Sequence, residues 1–364
     1  MPDACITNKR QAGRFNERKF AMKALVKFKP GPQGLELRAV PEPVPKPGEL
    51  KVRVLAAGIC GSDVHAYQDH RYLEMPVTLG HEFVGQVTEV CGDVGDFAVG
   101  DWVTALPACY SCGTCRLCRS GRVTLCRSRR SIGSYEDGAM AEYVVVPAKY
   151  SFKLPETART LEDKKLYALA EPFCCIVRGV YERINVHPGD VAVVSGPGPM
   201  GIMAAQLFKA RGAYVIVSGL PSDREKLELV KHLGADETVT SPEELEAAVY
   251  RQAPDGADFT CDCTGVPASL ATCIHVIGAN GTHLQIACWG GPVEVDLNQL
   301  FLKEASYITT NSTAVSSWEI GMKLMAEGRV DLRPLMNMEV PLADWREGFD
   351  AAIAKTKYKI VLLP

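Results

Sequence analysis

Three glycines, spaced two and three residues apart, constrain the fold of this chain more than any other feature. Gly196, Gly198 and Gly201 follow the apolar run Val191–Ser195 and open a segment with helical periodicity. A turn of this kind carries the backbone from a buried strand into a helix whose N-terminus favours an anion such as a pyrophosphate. The pattern is weak by itself, and the strand before it and the helix after it give it meaning. This segment therefore predicts a dinucleotide-binding turn.

Strand-like and helical segments alternate around this turn. The predicted strands are Val191–Ser195, Tyr214–Val217, Phe259–Asp262 and His283–Ile286, and the predicted helices span residues 201–211 and 225–233. That order predicts a parallel, doubly wound α/β sheet. Between residues 22 and 155, short alternating runs separated by Pro- and Gly-rich turns instead predict a β-rich, barrel-like domain.

A chain of 364 residues is too long for one ordinary core, so we expect two domains. Residues 1–21 are polar and basic and are predicted to be a loose N-terminal extension. The β-rich domain is expected to comprise 22–170 and 307–364, because a helix over 318–327 and a strand over 359–363 are too little for a third domain. The doubly wound domain is expected to comprise 171–306.

Composition and charge exclude several classes of protein. The formal net charge is −3, which leaves no basic field to attract nucleic acid or anionic lipid. A local run of arginines is interpreted as a solvated rim: Arg116, Arg119, Arg122, Arg127, Arg129 and Arg130. No apolar stretch has the length of a membrane span, and no secretory signal is evident, so we expect a cytosolic protein. In that setting the fourteen cysteines indicate metal ligation and reduced thiols rather than disulfides.

Cys60, His81 and Glu82 offer a thiolate, an imidazole and a carboxylate. This mixed set suits Zn²⁺ with one position left open for water or substrate, which is typical of a catalytic site. Taken singly, each residue has an ordinary explanation, because cysteine is often a small buried residue and His81-Glu82 could form a simple turn. The second cysteine cluster and the glycine turn favour the metal site.

A second predicted metal site has strong spacing. Cys112, Cys115 and Cys118 form two CxxC steps and Cys126 follows, so four thiolates could close a tetrahedral zinc site that leaves no position for substrate. Cys109 supplies a fifth candidate ligand. Zinc ribbons that bind nucleic acid use similar loops, which leaves a binding module as an alternative function. The acidic balance of the chain argues against it.

With these elements in order, the sequence resembles the zinc-containing medium-chain alcohol dehydrogenase superfamily, nearest its polyol (sorbitol-type) and threonine dehydrogenase branch. The motifs that carry the resemblance are Gly58-x-Cys60-Gly61-Ser62-Asp63, Gly80-His81-Glu82, the four-cysteine lobe, Glu171-Pro172 and the glycine turn. The resemblance implies a GroES-like catalytic domain with a zinc lobe over residues 109–126, and a Rossmann cofactor domain. It also implies a homodimer or homotetramer.

The resemblance assigns roles to individual residues. Cys60, His81 and Glu82 would hold the catalytic zinc, with Glu171 as a fourth ligand or as a partner through water. Ser62 and His65 would relay the proton of the alcohol. The cofactor contacts would come from Gly196, Gly198, Pro199, Met200, Gly201, Ser218, Gly219, Ser222, Arg224 and Thr264. Without a metal nearby, Ser62 could instead form a local turn hydrogen bond and His65 could be a surface residue.

The chain departs from the family pattern at three places. Thr313-Ala314 stand ahead of Trp318 where polyol dehydrogenases carry an Arg-Tyr pair, and Arg178 replaces a frequent histidine. Gly219 ends the second strand where NAD-preferring relatives carry a carboxylate that binds the ribose hydroxyls. Ser222 and Arg224 follow and could hold a 2′-phosphate, so NADP is favoured over NAD. The alternative is that Asp223 takes over the ribose contact and restores NAD preference.

These features together predict a zinc-dependent, NAD(P)-dependent dehydrogenase of a secondary alcohol, with two zinc ions per chain. The substrate class would be a small polyol, sugar or hydroxy compound. A catalytically inactive nucleotide-binding relative is the alternative within the same fold.

Overall fold

The computed structural model describes residues 5–7, 21–108 and 110–364. The chain divides into two compact units. Unit 1 comprises Met1–Glu171, Ala314–Met322 and Leu332–Pro364, and unit 2 comprises Pro172–Thr313 and Lys323–Asp331. Unit 2 therefore includes residues 307–313 and 323–331, which were expected to belong with the β-rich domain. In the part of the chain that is described, no helix combines the length and the apolar character that crossing a membrane requires.

The strands are numbered here in chain order. They are β1 Cys5–Thr7, β2 Ala21–Lys27, β3 Leu35–Pro41, β4 Glu49–Gly58, β5 Val77–Thr78, β6 Glu82–Cys91, β7 Trp102–Ala105, β8 Tyr143–Pro147, β9 Ser151–Lys153, β10 Val191–Ser195, β11 Tyr214–Ser218, β12 Glu237–Val239, β13 Ala257–Asp262, β14 Ile277–Gln285, β15 Ser306–Thr309, β16 Met336–Pro341 and β17 Lys359–Leu363.

The helices are numbered in the same way. They are α1 Gly61–Tyr67, α2 Arg116–Arg119, α3 Leu161–Lys165, α4 Ala170–Glu182, α5 Pro199–Ala210, α6 Arg224–His232, α7 Pro242–Gln252, α8 Pro267–Val276, α9 Leu297–Leu302, α10 Val315–Ala326 and α11 Trp345–Ile353. Short 3₁₀ turns lie between them, including Pro221–Asp223 ahead of α6.

Unit 1 is built on two sheets. An eight-stranded sheet runs β16-β17-β4-β6-β7-β9, with β1 paired to β6 and β8 paired to β4, and a three-stranded sheet runs β3-β2-β5. The final strand β17 pairs antiparallel with β4 and places Val361 opposite Gly58. The C-terminal strand therefore lies in the same sheet as strands from the first part of the chain.

The N-terminal extension departs from its prediction. Cys5–Thr7 form strand β1, which pairs antiparallel with Glu89–Cys91, so this segment is not a loose tail. The remainder of the predicted extension, apart from residue 21 in β2, lies outside the described residues.

A second correction concerns the oxidation state of the cysteines. Among the described side chains eleven cysteines are free, but Cys91 is disulfide-bonded, contrary to the expectation that the cysteines are reduced.

Unit 2 contains a six-stranded parallel sheet in the order β12-β11-β10-β13-β14-β15. Strand β10 lies at its centre, and all five of its residues are buried, as a parallel strand covered on both faces requires. The strand order reverses between β10 and β13, as in a dinucleotide-binding sheet. The strands and helices predicted for the doubly wound domain match the observed ones within two residues, except that β14 begins at Ile277, six residues before the predicted start at His283. The doubly wound architecture is confirmed.

Candidate active site and metal sites

Two adjacent strands bring Cys60, His81 and Glu82 together. Gly58 at the end of β4 lies opposite Glu82 at the start of β6, and a Cβ at Gly58 would lie 2.3 Å from Glu82 Oε2. Gly80 has a φ of +96°, and a Cβ there would lie 2.7 Å from the backbone nitrogen of Met140. Only glycine fits both positions, because a side chain would collide with neighbouring atoms. The glycines of the sequence motif thus set the positions of the ligand candidates.

The ligand atoms of Cys60, His81 and Glu82 lie within 4.8 Å of one another. Glu82 is fully buried, His81 is buried and Cys60 is half-buried. A thiolate, an imidazole and a carboxylate converging at this separation suit one divalent zinc ion with a further coordination position open. Glu171 is buried at the start of α4 but does not belong to this group of ligand atoms.

Asp63 orients His81. Its carboxyl is fully buried, and Oδ2 accepts a hydrogen bond of 2.9 Å from the backbone nitrogen of Cys60 at the N-terminus of α1. Oδ1 lies 3.5 Å from His81 Nδ1, and among the described residues neither atom has a closer hydrogen-bond partner. A carboxylate behind a ligating histidine leaves Nε2 to face a metal, so the donor set fits zinc.

Charge interactions shift the pKa values of both Asp63 and His81. Burial raises the pKa of Asp63, but the His81 imidazole outweighs that effect and the pKa falls below its ordinary value. Burial lowers the pKa of His81, but the Asp63 carboxylate raises it well above its ordinary value. Each side chain therefore stabilises the charged form of the other.

Lys359 forms hydrogen bonds to both carboxylate oxygens of Glu82. Its ammonium donates to Glu82 Oε1 at 2.7 Å, to Oε2 at 2.5 Å and to the backbone oxygen of Ile59 at 3.3 Å. Burial lowers the pKa of Lys359, but the charges of Glu82, Cys60 and Glu171 outweigh it and raise the pKa above its ordinary value. Strand β17 thus supplies a buried cation to the ligand group.

The two predicted relay residues lie on helix α1. Ser62 Oγ lies 3.4 Å from His81 Nε2, which places the hydroxyl beside the nitrogen that would face a metal. His65 lies three residues further along the helix and is exposed, with its ring 6.1 Å from the ring of His70. Residues three apart on a helix share a face, so Ser62 and His65 lie one above the other.

The sulfur atoms of Cys112, Cys115, Cys118 and Cys126 form a second group within 4.8 Å of one another. Three of the Sγ–Sγ distances are 3.5, 3.6 and 3.8 Å. A tetrahedral zinc ion with Zn–S bonds of 2.3 Å holds its sulfurs about 3.8 Å apart. The four cysteines therefore fit a closed zinc site, whereas Cys109 lies outside the described residues.

The pKa values within this cluster diverge. Backbone N–H groups of Cys115 and Thr114 lower the pKa of Cys112 to about 6, whereas loss of solvation raises the pKa of Cys118 to about 11. These sulfurs are only 3.8 Å apart, so a second thiolate beside the first is unfavourable. A cation that binds all four sulfurs removes this penalty.

The glycine turn has the geometry that its sequence predicts. Gly196 has a φ of +97°, and a Cβ at Gly201 would lie 1.8 Å from the backbone oxygen of Gly196, so neither position tolerates a side chain. A Cβ at Gly198 would meet no described atom within 4 Å, which leaves its backbone open to a ligand. Pro199 begins α5 and Met200 follows in its first turn.

The end of β11 lies beside this turn. A Cβ at Gly219 would lie 2.9 Å from the Pro197 side chain, so glycine is required there for packing as well. Both carboxylate oxygens of Asp223 already have partners. Oδ2 accepts a hydrogen bond from the Leu220 backbone nitrogen at 3.1 Å, and Oδ1 forms an ion pair with Lys226 at 2.8 Å. Ser222 and Arg224 are exposed on either side of it.

Two other departures from the family pattern also have positions in the structure. Arg178 forms an ion pair with Glu182 one turn further along α4, which accounts for an arginine at this position. Thr313 is buried, so it offers no exposed polar group ahead of α10.

Comparison with known proteins identifies the family. The "Alcohol dehydrogenase GroES-like domain" family matches residues 46–156, and the "Zinc-binding dehydrogenase" family matches residues 199–327. A sorbitol dehydrogenase of Halalkalibacterium halodurans is 32% identical over 346 residues, which cover 94% of this chain and 99% of the relative. The chain belongs to the zinc-containing medium-chain dehydrogenase superfamily.

Two further comparisons agree. A D-arabitol-phosphate dehydrogenase of Enterococcus avium is 31% identical to this medium-chain dehydrogenase over 94% of the chain and 97% of the relative. The crystal structure of a protein from Sinorhizobium meliloti 1021, described as a zinc-binding dehydrogenase bound to NADP, is 30% identical and superposes with a TM-score of 0.85. The superposition covers 95% of this chain and 100% of the Sinorhizobium meliloti chain. The GroES-like and Rossmann domains of this oxidoreductase are thereby confirmed.

Sequence reasoning missed two residues of this dehydrogenase's site. Asp63 belongs to the Gly58–Asp63 motif, and a carboxylate three residues after the N-cap position of a helix is the sequence signal of a cap. Lys359 was overlooked within the final strand, where it is the charged residue ahead of the apolar run Ile360–Leu363. A cation at the edge of a buried strand requires a partner, and that requirement was the available signal.

Proposed function

We propose that this enzyme transfers hydride between NADP and a secondary alcohol of the small polyol, sugar or hydroxy-compound class. The observation that carries the proposal is the convergence of Cys60, His81 and Glu82 within 4.8 Å, beside the hydroxyl of Ser62. Relatives named for sorbitol and D-arabitol phosphate support the polyol class.

In this proposal Cys60, His81 and Glu82 hold a catalytic zinc. Zinc bound there supplies a Lewis acid that polarises an alcohol or carbonyl oxygen. Asp63 holds the His81 imidazole so that Nε2 faces the centre of the group, and Lys359 neutralises the Glu82 carboxylate through both of its oxygens. Glu171 adds negative charge near Lys359 and could contact the centre through water.

The chain's own groups move the proton. Ser62 Oγ accepts the proton of the alcohol, because the hydroxyl lies at the ligand group, 3.4 Å from His81 Nε2. As Ser62 accepts that proton it gives up its own hydroxyl proton, which His65, three residues further along the same helix face, passes on to solvent, to which it is exposed. The nicotinamide supplies the hydride acceptor when bound.

The proposal includes a second, structural zinc on Cys112, Cys115, Cys118 and Cys126. Hydrogen bonds hold the lobe that carries these cysteines against neighbouring parts of unit 1. Tyr110 donates to Glu49 Oε1 at 2.8 Å, and Ser111 Oγ lies 3.1 Å from the Tyr150 hydroxyl. The five predicted thiolate ligands, counting Cys60, must stay reduced to bind zinc, which supports a cytosolic enzyme, although Cys91 is disulfide-bonded and belongs to neither ligand group.

NADP is the proposed cofactor. Gly219 offers no carboxylate to repel a 2′-phosphate, and the pairing of Asp223 with Lys226 leaves it poorly placed to bind ribose hydroxyls. Burial raises the pKa of Asp223, but Lys226 and the Leu220 N–H lower it below its ordinary value, which fits a structural role. Exposed Ser222 and Arg224 could bind the phosphate.

The proposed assembly is a homodimer or homotetramer. Strand β15 lies at one edge of the parallel sheet, and Leu297, Phe301 and Leu302 on α9 are 67%, 77% and 79% exposed. Exposed apolar side chains on the helix that precedes an edge strand support burial against a second copy. No nucleic-acid or membrane partner forms part of the proposal.

The test is a substrate panel of polyols, aldoses, hydroxy acids and threonine with NAD and NADP, read by the absorbance of reduced nicotinamide. Wild-type enzyme should reduce NADP with at least one secondary alcohol. Cys60→Ser should abolish turnover, whereas Cys288→Ser, at an exposed cysteine outside both clusters, should not. Turnover that persists in Cys60→Ser would contradict the proposed catalytic zinc.

A further inference from the structure

A row of polar residues crosses the parallel sheet of unit 2 at its carboxyl edge. Strands β11, β10, β13 and β14 end at Ser218, Ser195, Asp262 and Gln285, and strand pairing places these four residues in register. Ligands of such sheets bind just beyond the carboxyl ends of the strands. The row therefore lies at the edge where a dinucleotide would bind, and it includes Ser218, one of the predicted cofactor contacts.

Asp262 is the centre of this row and is fully buried. Its Oδ1 accepts from Thr264 N at 3.0 Å and Thr264 Oγ1 at 2.7 Å, and Ser269 Oγ lies 2.7 Å away. Its Oδ2 accepts from Gln285 Nε2 at 2.7 Å and Gly265 N at 3.3 Å. All five neighbours are donors, so the site is built for two acceptor oxygens.

A chain of serine hydroxyls connects Asp262 to the two neighbouring strands. Ser195 Oγ lies 2.7 Å from Ser269 Oγ and 3.2 Å from Ser218 Oγ. Each hydroxyl has one proton, so donation runs from Ser218 to Ser195 to Ser269 and ends on the carboxylate. Ser195 immediately precedes Gly196, and Ser218 immediately precedes Gly219.

The other side of Asp262 is fixed by Gln285. The Gln285 amide nitrogen also donates to Ala287 O at 2.8 Å, while its Oε1 accepts from Tyr307 OH at 3.3 Å and lies 3.0 Å from His283 Nε2. Every hydrogen-bonding position of the amide is thus used, and the amide cannot rotate without losing these bonds. Gln285 must present its nitrogen to Asp262.

Asp262 also acts on the glycine turn through Thr264. The Thr264 methyl group lies 2.6 Å from the position that a Cβ on Gly196 would take, so the side chain packs directly against the turn. Two hydrogen bonds from Thr264 to Asp262 hold that side chain in place. One buried carboxylate therefore fixes the ends of β10, β11 and β13 together.

We propose that Asp262 is a positioning residue for the cofactor. It aligns the glycine turn, the Ser218-Gly219 corner and Thr264 so that the dinucleotide meets a preorganised surface. The inference rests on the proposed function, since it concerns how the same site binds NAD(P). Asp262 is fully buried, so in this proposal it acts through these neighbours and not by direct contact with the cofactor.

The test is Asp262→Asn in the full-length, zinc-loaded enzyme, with NADH and NADPH titrated by tryptophan fluorescence. The new amide nitrogen at position 262 would face hydrogen-bond donors instead of accepting from them. The hydroxyls of Thr264 and Ser269 can reorient, but the backbone N–H groups of Thr264 and Gly265 and the amide of Gln285 cannot, so at least one donor would lose its acceptor. We expect the Kd of the preferred reduced cofactor to rise about tenfold or more. Zinc content and the KM of the alcohol at saturating cofactor should stay within about twofold of wild type.

Asp258→Asn is the matched control, because Asp258 lies on the same strand at the opposite edge, where Oδ2 accepts from Val191 N at 2.8 Å. Its cofactor Kd should equal that of wild type. If Asp262→Asn fails to fold, Ser269→Ala decides, since it removes only the hydroxyl chain and should weaken cofactor binding about threefold or more.

A cofactor Kd unchanged in Ser269→Ala, or in a folded Asp262→Asn, would overturn this inference alone. A weaker cofactor affinity accompanied in Asp262→Asn by an equally large rise in the alcohol KM and an equally large loss of zinc would also overturn it, because these changes together indicate general damage to the protein. Wild-type enzyme that binds neither NADH nor NADPH would overturn the proposed function, and this inference with it.

Discussion

Lys359 Nζ lies 2.7 Å from Glu82 Oε1 and 2.5 Å from Oε2, and the two side chains are 7% and 0% exposed. These residues are 277 positions apart in the chain. Their contact ties the C-terminal strand to the ligand group, so closure of unit 1 and arrangement of the predicted zinc site depend on each other.

Replacing Lys359 with Met should leave the Glu82 carboxylate buried without its cation. Loss of one partner of a buried ion pair typically costs about 3–5 kcal/mol, so the free energy of unfolding should fall by about that amount. Lys357→Met, at an exposed lysine two residues away, should change it by less than about 0.5 kcal/mol. Denaturant unfolding of both variants measures the difference, and equal stabilities would contradict a stabilising role for the pair.

Metal analysis should find two zinc ions per chain. Cys112→Ser should remove one ion and chiefly impair folding or assembly, because the four-thiolate site is closed to substrate. Cys60→Ser should remove the other ion and turnover while the fold is retained. One zinc per chain in wild type, unchanged in Cys112→Ser, would eliminate the structural site.

His65→Gln should depress kcat by about tenfold or more at pH 6–7 and much less near pH 10. The reason is that hydroxide and water can take the proton directly at high pH, whereas at neutral pH the imidazole is needed. His70→Gln is the control, since that histidine is also exposed and its ring lies 6.1 Å away. Parallel pH–rate profiles for His65→Gln and wild type would remove His65 from the relay.

Arg224→Ala should lower kcat/KM with NADP about tenfold or more and leave the value with NAD within about twofold, since only NADP carries the 2′-phosphate. Arg251→Ala, a surface arginine elsewhere in unit 2 that pairs with Glu237, should change neither value. Preference for NAD in wild type, with no effect of Arg224→Ala on NADP, would refute the phosphate-binding role.

Phe301→Asp should convert the assembled enzyme to smaller species in sedimentation velocity, because a charge would be buried in the proposed contact. Val44→Asp in unit 1 is matched to it, as Val44 is 78% exposed and Phe301 is 77% exposed. That control should sediment as wild type does. A monomeric wild type, or an oligomer insensitive to Phe301→Asp, would exclude this surface as the interface.

The sequence was most informative where short-range constraints act. Gly80, Gly196 and Gly201 could be recognised because a tight turn or a close backbone approach requires glycine at a fixed spacing. The CxxC steps from Cys112 to Cys118 similarly predict, by spacing alone, a cluster of sulfurs that fits zinc. The four central strands of the parallel sheet, β11, β10, β13 and β14, followed from apolar runs, which need no knowledge of their partners.

The roles of Asp63, Lys359 and Asp262 were decided by the tertiary structure. Each is a buried charged side chain whose partners come from another element of the fold: His81 for Asp63, Glu82 for Lys359, and Gln285 for Asp262. A single sequence shows the charge but not the partner. Strand β1 was missed for the same reason, because a three-residue strand has too little pattern of its own and exists through pairing with β6.

By itself, the sequence determined the two kinds of domain, the two clusters of candidate metal ligands and the glycine turn, because local spacing and hydrophobic periodicity encode them. Only the tertiary structure decided how charge is compensated behind those sites, because burial makes an unpaired charge costly and folding alone brings its distant partner within hydrogen-bond distance.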